Sequence, residues 1–294
     1  MTGLERGMLL LCCPLGQSEV KPLTGAEFMR LERALFEKPS REGDVTPQTL
    51  KEDGIDPALA ERICALLDRE ELLDRYLAVA ENLGIGVLTR LNPAYPPVLL
   101  SKLREHAPLV LFYRGDTALL QSRGVSLVGS RKLSPMGEAF ARRVGALCAV
   151  EGRTLISGGA AGADRAAQQA CTALEGKAVV FTADRLMDHP QQDNVLYCSE
   201  EGYDVAFSTP RAHSRNRLIH AMGERTFVAQ CTHGSGGTWA GTVENLKKEL
   251  SPVICHKDGS SAMLALQELG AELLDYEDLT SVLFPEPAKT LTME

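Results

Sequence analysis

The sequence predicts an α/β protein in which a parallel sheet carries helices on both faces and follows a small all-helical domain. Three observations predict it: apolar residues at helical spacing near the N-terminus, short apolar strands alternating with helices from Val125 onward, and glycine-rich turns between them. The predicted division is a helical domain over residues 1–82, a parallel-sheet domain over 83–284 and a loose tail over 285–294.

Helical spacing is clearest in two stretches of the first 82 residues. Phe28, Leu31 and Leu35 recur at helical intervals, and Asp56-Pro57 has the form of an N-cap followed by a proline at the first helical position. The charged segment Lys38–Asp44 is predicted as a loop between them. The apolar run Leu9–Cys12 has neither a basic segment before it nor a small-residue cleavage site after it, so it predicts a buried segment and not a signal peptide.

The alternation of strands and helices defines the second domain. Prolines between Asn92 and Pro97 predict extended backbone, and Pro108–Tyr113 predicts the first strand. Further strands are predicted at 125–128, 154–157, 177–181, 204–207, 226–229 and 253–255. Helices are predicted from Ser134-Pro135, at 162–174, 214–222 and 238–248, and around Met263–Leu269. Such alternation is typical of a parallel sheet covered on both faces.

Composition limits the functional classes. The chain has 294 residues, a formal net charge of −8 and eight cysteines, none in a Cys-x-x-Cys pair. That pattern favours reduced thiols in a cytoplasmic protein, and neither clustered metal ligands nor an apolar stretch of membrane-spanning length occurs. Because a non-specific DNA-coating protein usually carries a basic excess, any nucleic-acid site must be local. Two local basic stretches are found at 123–143 and 211–225.

Three glycine-rich turns follow predicted strands and precede helices. Since ligands of an open parallel sheet bind beyond the carboxyl ends of its strands, and glycine lets backbone N–H groups approach an anion, the three turns together predict a phosphate site. Two further cations, with the asparagine between them, stand where a helix is predicted to start, an end that disfavours positive charge unless an anion binds there. The candidate DNA- or phosphate-binding residues are Gly129, Ser130, Arg131, Lys132, Ser157, Gly158, Gly159, Gly162, Arg215, Asn216, Arg217, Ser235, Gly236, Gly237 and Thr238.

Motifs for catalysis are lacking. The sequence has no Gly-x-Ser-x-Gly, no His-Glu-x-x-His and no P-loop, and its six histidines are scattered. We therefore predict neither catalytic residues nor a cofactor. Trp239, beside the third turn, has two possible roles: a base-stacking ring or an ordinary packing residue.

Several runs in one order carry a family resemblance. They are Tyr95–Leu100, Pro108–Gly115, Val128–Arg131 with Gly137, Ile156–Gly158 with Gly162–Asp164, and Arg215–Ile219. Over about residues 86–283 the chain resembles the DNA-processing protein A (DprA/Smf) family. The resemblance implies an extended Rossmann-like domain after a SAM-like helical domain. It also implies a non-enzymatic homodimer that binds and protects single-stranded DNA and helps to load a RecA-type recombinase during DNA uptake.

The chain departs from the family pattern at several places. Gln168 stands where the family has a histidine, the segment 184–203 is atypical, and no winged-helix domain is expected after the sheet domain. The alternative is a nucleotide-binding or phosphoribohydrolase-like enzyme or sensor on a related fold, since Gly236-Gly237-Thr238 is similar to the motif of those enzymes. Their glutamate follows that motif closely, whereas Glu244 comes about one helical turn too late. A third possibility is a structural interaction module with an inherited, empty pocket.

Overall fold

The computed structural model describes residues 1–16, 19–36 and 45–283. The predicted loop Lys38–Asp44 and the predicted tail 285–294 lie outside the described residues. The described chain forms two compact units: the first comprises Met1–Gln121 and Thr182–Arg215, the second Ser122–Phe181 and the chain from Asn216 onward. The predicted domain boundary at residue 82 stays a prediction. No helix in the described ranges is both long enough and apolar enough to cross a membrane.

Helices and strands alternate along most of the described chain. The helices are α1 (Gly3–Cys12), α2 (Gly25–Phe36), α3 (Pro47–Glu52), α4 (Pro57–Leu67), α5 (Glu70–Asn82), α6 (Pro97–Leu103), α7 (Pro135–Val150), α8 (Ala163–Thr172), α9 (Thr209–Met222), α10 (Gly236–Lys248) and α11 (Ser261–Glu268). The strands are β1 (Gly86–Thr89), β2 (Val110–Arg114), β3 (Gly124–Val128), β4 (Thr154–Ser157), β5 (Ala178–Phe181), β6 (Val195–Ser199), β7 (Thr226–Val228), β8 (Val253–His256) and β9 (Glu272–Leu274).

Helices α2 and α4 of the first unit lie where the apolar spacing and the Asp56-Pro57 signal predict helices. The Asp56 carboxylate accepts hydrogen bonds from the N–H groups of Ala58 and Leu59 and so caps α4. Leu31 of α2 and Ile63 of α4 are buried in one apolar cluster of this unit. The run from Leu9 is the buried half of α1, which confirms the prediction of a buried segment.

Strands β1, β2 and β6 of the first unit pair antiparallel. The predicted strand at Pro108–Tyr113 is confirmed as β2, but the strand predicted at 204–207 is wrong. The backbone carbonyls of Val205 and Ala206 accept hydrogen bonds from the guanidinium of Arg211, at 2.6 and 2.9 Å, and not from a neighbouring strand. Strand β6, which sequence patterning missed, lies in the segment classed as atypical.

The backbone near Pro97 is helical, not extended as predicted. Pro97 is the first residue of α6, where the missing N–H costs nothing because the first helical N–H groups have no intrahelical acceptor. Pro96, in front of it, has an extended backbone.

The second unit contains the predicted parallel sheet. Its strands run in the order β5-β4-β3-β7-β8-β9, and each neighbouring pair is parallel. Phe140 of α7, Phe181 of β5 and Phe227 of β7 are fully buried in it. The chain winds one way from β3 to β5 and the other way from β7 to β9. Because such crossovers are right-handed, α7 and α8 cover one face and α10 and α11 the other, as predicted.

The order of the strands reverses between β3 and β7. In an open parallel sheet the turns that leave the carboxyl ends of two such strands diverge to opposite faces and leave a crevice, which is the usual place for a ligand. The fold therefore predicts a ligand site at the turns after β3 and β7.

Candidate nucleic-acid interface

The turn after β3, Gly129–Lys132, is hydrogen-bonded to Gln230, which follows β7. The N–H of Ser130 donates to the carbonyl of Gln230 at 2.8 Å, and the Gln230 side-chain oxygen accepts from the N–H of Ser134 at 2.9 Å. The Ser130 hydroxyl in turn accepts from the N–H of Lys132 at 3.2 Å. The turn is thus fixed through its backbone, while the side chains of Arg131 and Lys132 are exposed.

The turn after β4 packs directly against this first turn. Gly162 has φ +84° and ψ −126°, a conformation essentially restricted to glycine, and a Cβ atom there would lie 2.3 Å from the carbonyl oxygen of Ser130. The N–H of Ala163 donates to the same carbonyl at 3.2 Å. The two turns are therefore in backbone contact, as the prediction of a common edge requires.

A carboxylate of the protein occupies the inside of the second turn. Asp164, at the start of α8, is only 6% exposed, and its Oδ2 accepts the N–H groups of Gly158 and Ala160 at 3.1 and 3.3 Å. Ser157 and Gly158 are buried. These two N–H groups are engaged with Asp164, so this turn is already organised around an internal anion.

The turn after β7 joins the first turn from the other side. The hydroxyl of Thr238 donates to the carbonyl of Gly129 at 2.9 Å, and the Asn216 side chain donates to the carbonyl of Gly237 at 3.1 Å. Ser235 precedes α10 without capping it through its side chain, and Gly236 has φ +83°. The second unit thus brings together members of all three predicted turns with Asn216 of α9.

The helix that carries Arg215 and Arg217 begins earlier than predicted. Helix α9 starts at Thr209, and the Ser208 hydroxyl accepts the N–H of Arg211 at 3.3 Å at its start. The two arginines lie beyond the first turn, so the argument from an unfavourable helix N-terminus is wrong. Arg217 is half-buried in the second unit, whereas Arg215 is 6% exposed and belongs to the first unit.

Some of the basic residues have structural roles. Arg211, 5% exposed, donates to the carbonyls of Ala183, Val205 and Ala206 and forms an ion pair with Glu201 at 3.1 Å. Arg142 on α7 pairs with Glu138 at 3.1 Å on the exposed surface of its helix. These contacts give two cations of the basic stretches a structural role, and Arg131 and Lys132 are exposed on the first turn.

A buried polar network fixes α9 to α10 beneath the turns. The Asn245 amide oxygen accepts the N–H of Ser251 at 2.9 Å, which orients its nitrogen to donate to Nδ1 of His220 at 3.0 Å. His220 is 1% exposed, and burial lowers its pKa from 6.5 to about 4. The neutral ring therefore carries its proton on Nε2, and the network holds the helix that bears Asn216 and Arg217.

The carboxylates near the turns have structural partners. Glu244, the glutamate weighed for the phosphoribohydrolase-like alternative, pairs with Lys248 at 2.7 Å on α10. Asp164 is taken up by the second turn. Among the described residues no group of three or more histidine, cysteine or acidic side chains is arranged to hold a metal ion.

Sequence reasoning missed Gln230 and the part played by Asp164. Gln230 is the first polar residue after the buried end of the β7 run, a position that would have marked it as the end of a strand at the ligand edge. The role of Asp164 carries no local signal, because the N–H groups it accepts lie four to six residues earlier, across a turn whose shape the sequence does not specify.

A comparison with protein-family models matches residues 86–281 to the family described as DNA recombination-mediator protein A. The chain belongs to this family. The family match includes the three turns and α9, so the recombination-mediator family is confirmed for the part of the chain in which the resemblance was seen.

Curated relatives of this chain include two proteins named Smf. The one from Synechocystis is 28% identical over 163 residues, which is 51% of this chain and 40% of the relative. The one from Escherichia coli K12 is 31% identical over 156 residues, 48% of this chain and 40% of the relative. The aligned region thus spans well under two thirds of these relatives.

Solved structures of family members have the same fold. DNA processing protein A from Streptococcus pneumoniae superposes with a TM-score of 0.63 at 22% identity, covering 87% of this chain and 96% of that one. The Helicobacter pylori protein, whose structure addresses its single-stranded DNA binding mode, gives a TM-score of 0.54 at 21% identity over 66% and 92% of the two chains. At these identities the likeness confirms the fold, and the predicted fold class is correct.

Proposed function

We propose that the chain is a single-stranded DNA-binding recombination mediator whose DNA site is the edge formed by the turns after β3, β4 and β7. One observation carries the proposal: Arg131 and Lys132 are exposed on a turn whose backbone is fixed by Gln230, Thr238 and Ala163 at the point where strand order reverses. A rigid turn presents cations to phosphate at little cost in side-chain and backbone entropy. Asn216, Arg217 and the residues from Ser235 to Thr238 complete the proposed site.

Single strands fit this edge better than duplex. The protein has a formal net charge of −8, so the cationic surface is local and small. A duplex, with one phosphate charge about every 1.7 Å of its axis, would bring more negative charge against acidic surface than a flexible single strand. A single strand can also follow the closely spaced turns one nucleotide at a time.

This edge binds DNA and does not catalyse a reaction on it. Asp164 of the second turn accepts backbone N–H groups, and Glu244 of α10 pairs with Lys248. We accordingly propose that the chain does not cleave DNA and needs no cofactor.

We propose two partners on the basis of family membership, and not from any binding surface identified on this chain. One is a RecA-type recombinase, whose assembly on single-stranded DNA the chain would accelerate. The other is a second copy of the chain, which a light-scattering mass of twice 31.8 kDa at micromolar concentration would support and a monomer mass would refute.

The decisive test compares ligands across a salt series. A labelled oligo-dT, a duplex of the same length and a free nucleoside monophosphate are titrated with the protein at fixed pH. We expect the single strand to bind most tightly and its affinity to fall steeply with salt, because cations on the protein displace counterions from phosphates. Equal affinity for duplex, or no effect of salt, would refute the proposal. Tightest binding of the monophosphate with release of its base would favour the phosphoribohydrolase-like alternative.

A further inference from the structure

Two aromatic rings stand on either side of the turn after β7. The ring centroids of His233 and Trp239 are 4.8 Å apart with an angle of 56° between their planes. His233 is exposed and Trp239 is partly exposed. Trp239 is the single tryptophan of the chain. The pair thus places a large, partly solvent-accessible π surface beside the proposed DNA site.

The turn between the two rings is open. Gly234 and Gly236 have φ +68° and +83°, and a Cβ atom built on either would meet no atom within 4 Å. No acidic residue occurs between Thr226 and Val243, so negative charge is absent from this part of the sequence. The Cβ positions of both glycines face open space, so a planar nucleotide can approach this turn without a steric clash there.

Other residues than Trp239 anchor this turn. Thr238 donates to the carbonyl of Gly129, and the carbonyl of Gly237 accepts from Asn216. These two polar contacts fix the start of α10 through the residues that precede the indole. They also fix the distance between the ring pair and the first turn, which carries Arg131.

We propose that His233 and Trp239 form a nucleobase-stacking subsite, which rests on the proposed binding of single-stranded DNA. Every base has a π face, so stacking on an indole adds affinity without selecting a sequence. The ligand is a base of a strand whose phosphates lie along the neighbouring turns. The subsite would distinguish a strand with bases from a bare sugar–phosphate polymer, which the cationic turn alone cannot do.

The test uses tryptophan fluorescence, since the emission comes from Trp239 alone. The wild-type protein is titrated with oligo-dT and with an abasic oligomer of equal length and charge. We expect oligo-dT to quench the emission as it binds and the abasic oligomer to bind more weakly without quenching. Equal affinity and equal quenching for both would overturn the subsite while leaving the DNA-binding proposal intact. Failure of both oligomers to bind would overturn the two proposals together.

Substitutions of the two aromatic residues test whether each ring contributes to oligo-dT affinity. Trp239→Ala should weaken oligo-dT binding by roughly 5- to 150-fold, the range of one lost stacking contact, and leave the abasic oligomer unaffected. Trp239→Phe should restore part of the affinity, and His233→Ala, at an exposed position, should lower it without loss of the fold. His213, exposed on α9, is the matched control, and His213→Ala should change neither ligand. If His233→Ala and the two Trp239 variants lower abasic and oligo-dT affinity alike, the rings do not stack on a base.

Discussion

Single side chains decide whether a cation of this protein can meet a ligand. Arg211 and Arg131 are the same residue type, each in a basic stretch of the sequence. Arg211 is buried, donates to three backbone carbonyls and pairs with Glu201. Arg131 is exposed on a turn fixed by Gln230. Local charge density could not separate them, because the acceptors of Arg211 lie 5 to 28 residues away along the chain.

Arg131→Ala should weaken single-stranded DNA binding by about tenfold or more. A guanidinium gives a phosphate two charge-assisted hydrogen bonds, each worth about 1.5–3 kcal/mol, and 1.4 kcal/mol is about one decade of affinity. Affinities for oligo-dT at one fixed salt concentration measure this. Arg142→Ala is the control, since Arg142 pairs with Glu138 on an exposed helical surface. Equal losses for both variants would mean a diffuse helical surface and not the turn.

The burial of His220 predicts that acid lowers the free energy of unfolding. Its folded pKa is about 4 because of burial, against 6.5 for an exposed histidine, so below pH 6.5 the unfolded chain takes up the proton first. The free energy of unfolding should therefore fall as the pH drops from 6.5 to 4, by about 3 kcal/mol from this group, and level off below pH 4.

Urea denaturation at several pH values measures the effect of His220. The protein with His220→Gln should be less stable at neutral pH but lose less stability between pH 6.5 and 4 than the wild type. His213→Gln, on the same helix but exposed, should follow the wild-type curve. Parallel curves for wild type and His220→Gln would show that the ring is not held neutral.

At the scale of elements, the site consists of turns in backbone contact. Sequence patterning predicted strands β2–β5, β7 and β8 and the start of α7 well, because each has a local signal such as an apolar run or the Ser134-Pro135 cap. It missed β1, β6 and β9 and the true start of α9. Strand β6 pairs with β2, whose partner residues lie 83 to 87 positions earlier in the chain, and α9 is capped by a serine in a segment with no apolar period.

Gly162→Ala should displace the first turn. The new Cβ would fall 2.3 Å from the Ser130 carbonyl oxygen and 2.7 Å from Arg131 Cα, so the backbone under Arg131 must move. Overpacking and the glycine-only backbone conformation together should cost about 2–4 kcal/mol of stability. DNA affinity should fall as well, because the cations leave their positions.

Gly152→Ala is the matched control for this substitution. Gly152 also has a positive φ, +63°, but a Cβ there meets no atom within 4 Å. It should cost about 1 kcal/mol through backbone strain and leave DNA affinity unchanged. Thermal melting and oligo-dT titration of both variants separate strain from displacement. Loss of affinity in Gly152→Ala as well would mean that general destabilisation, and not the turn contact, lowers binding.

At the scale of the whole molecule, the fold class followed from the sequence because alternation of strands and helices is a property of the entire chain. The candidate site followed only in part. That three turns share one edge is dictated by parallel strands, and the sequence predicted it. Which N–H groups are engaged depends on side chains such as Asp164 and Gln230, whose partners are set by tertiary contact. The assignment of the fifteen predicted site residues to DNA stays a prediction.

Asp164 affects which anions can bind the backbone N–H groups of the second turn. Its carboxylate is covalently tethered to the turn whose N–H groups it accepts, so its effective concentration there far exceeds the millimolar level of free phosphate or mononucleotides in a cell. A small anion must therefore compete with this tethered carboxylate for the N–H groups of Gly158 and Ala160. A long polyanion that engages the first and third turns at once keeps its advantage, because linked contacts gain avidity that a single phosphate lacks. One internal carboxylate thus biases the edge toward polymers.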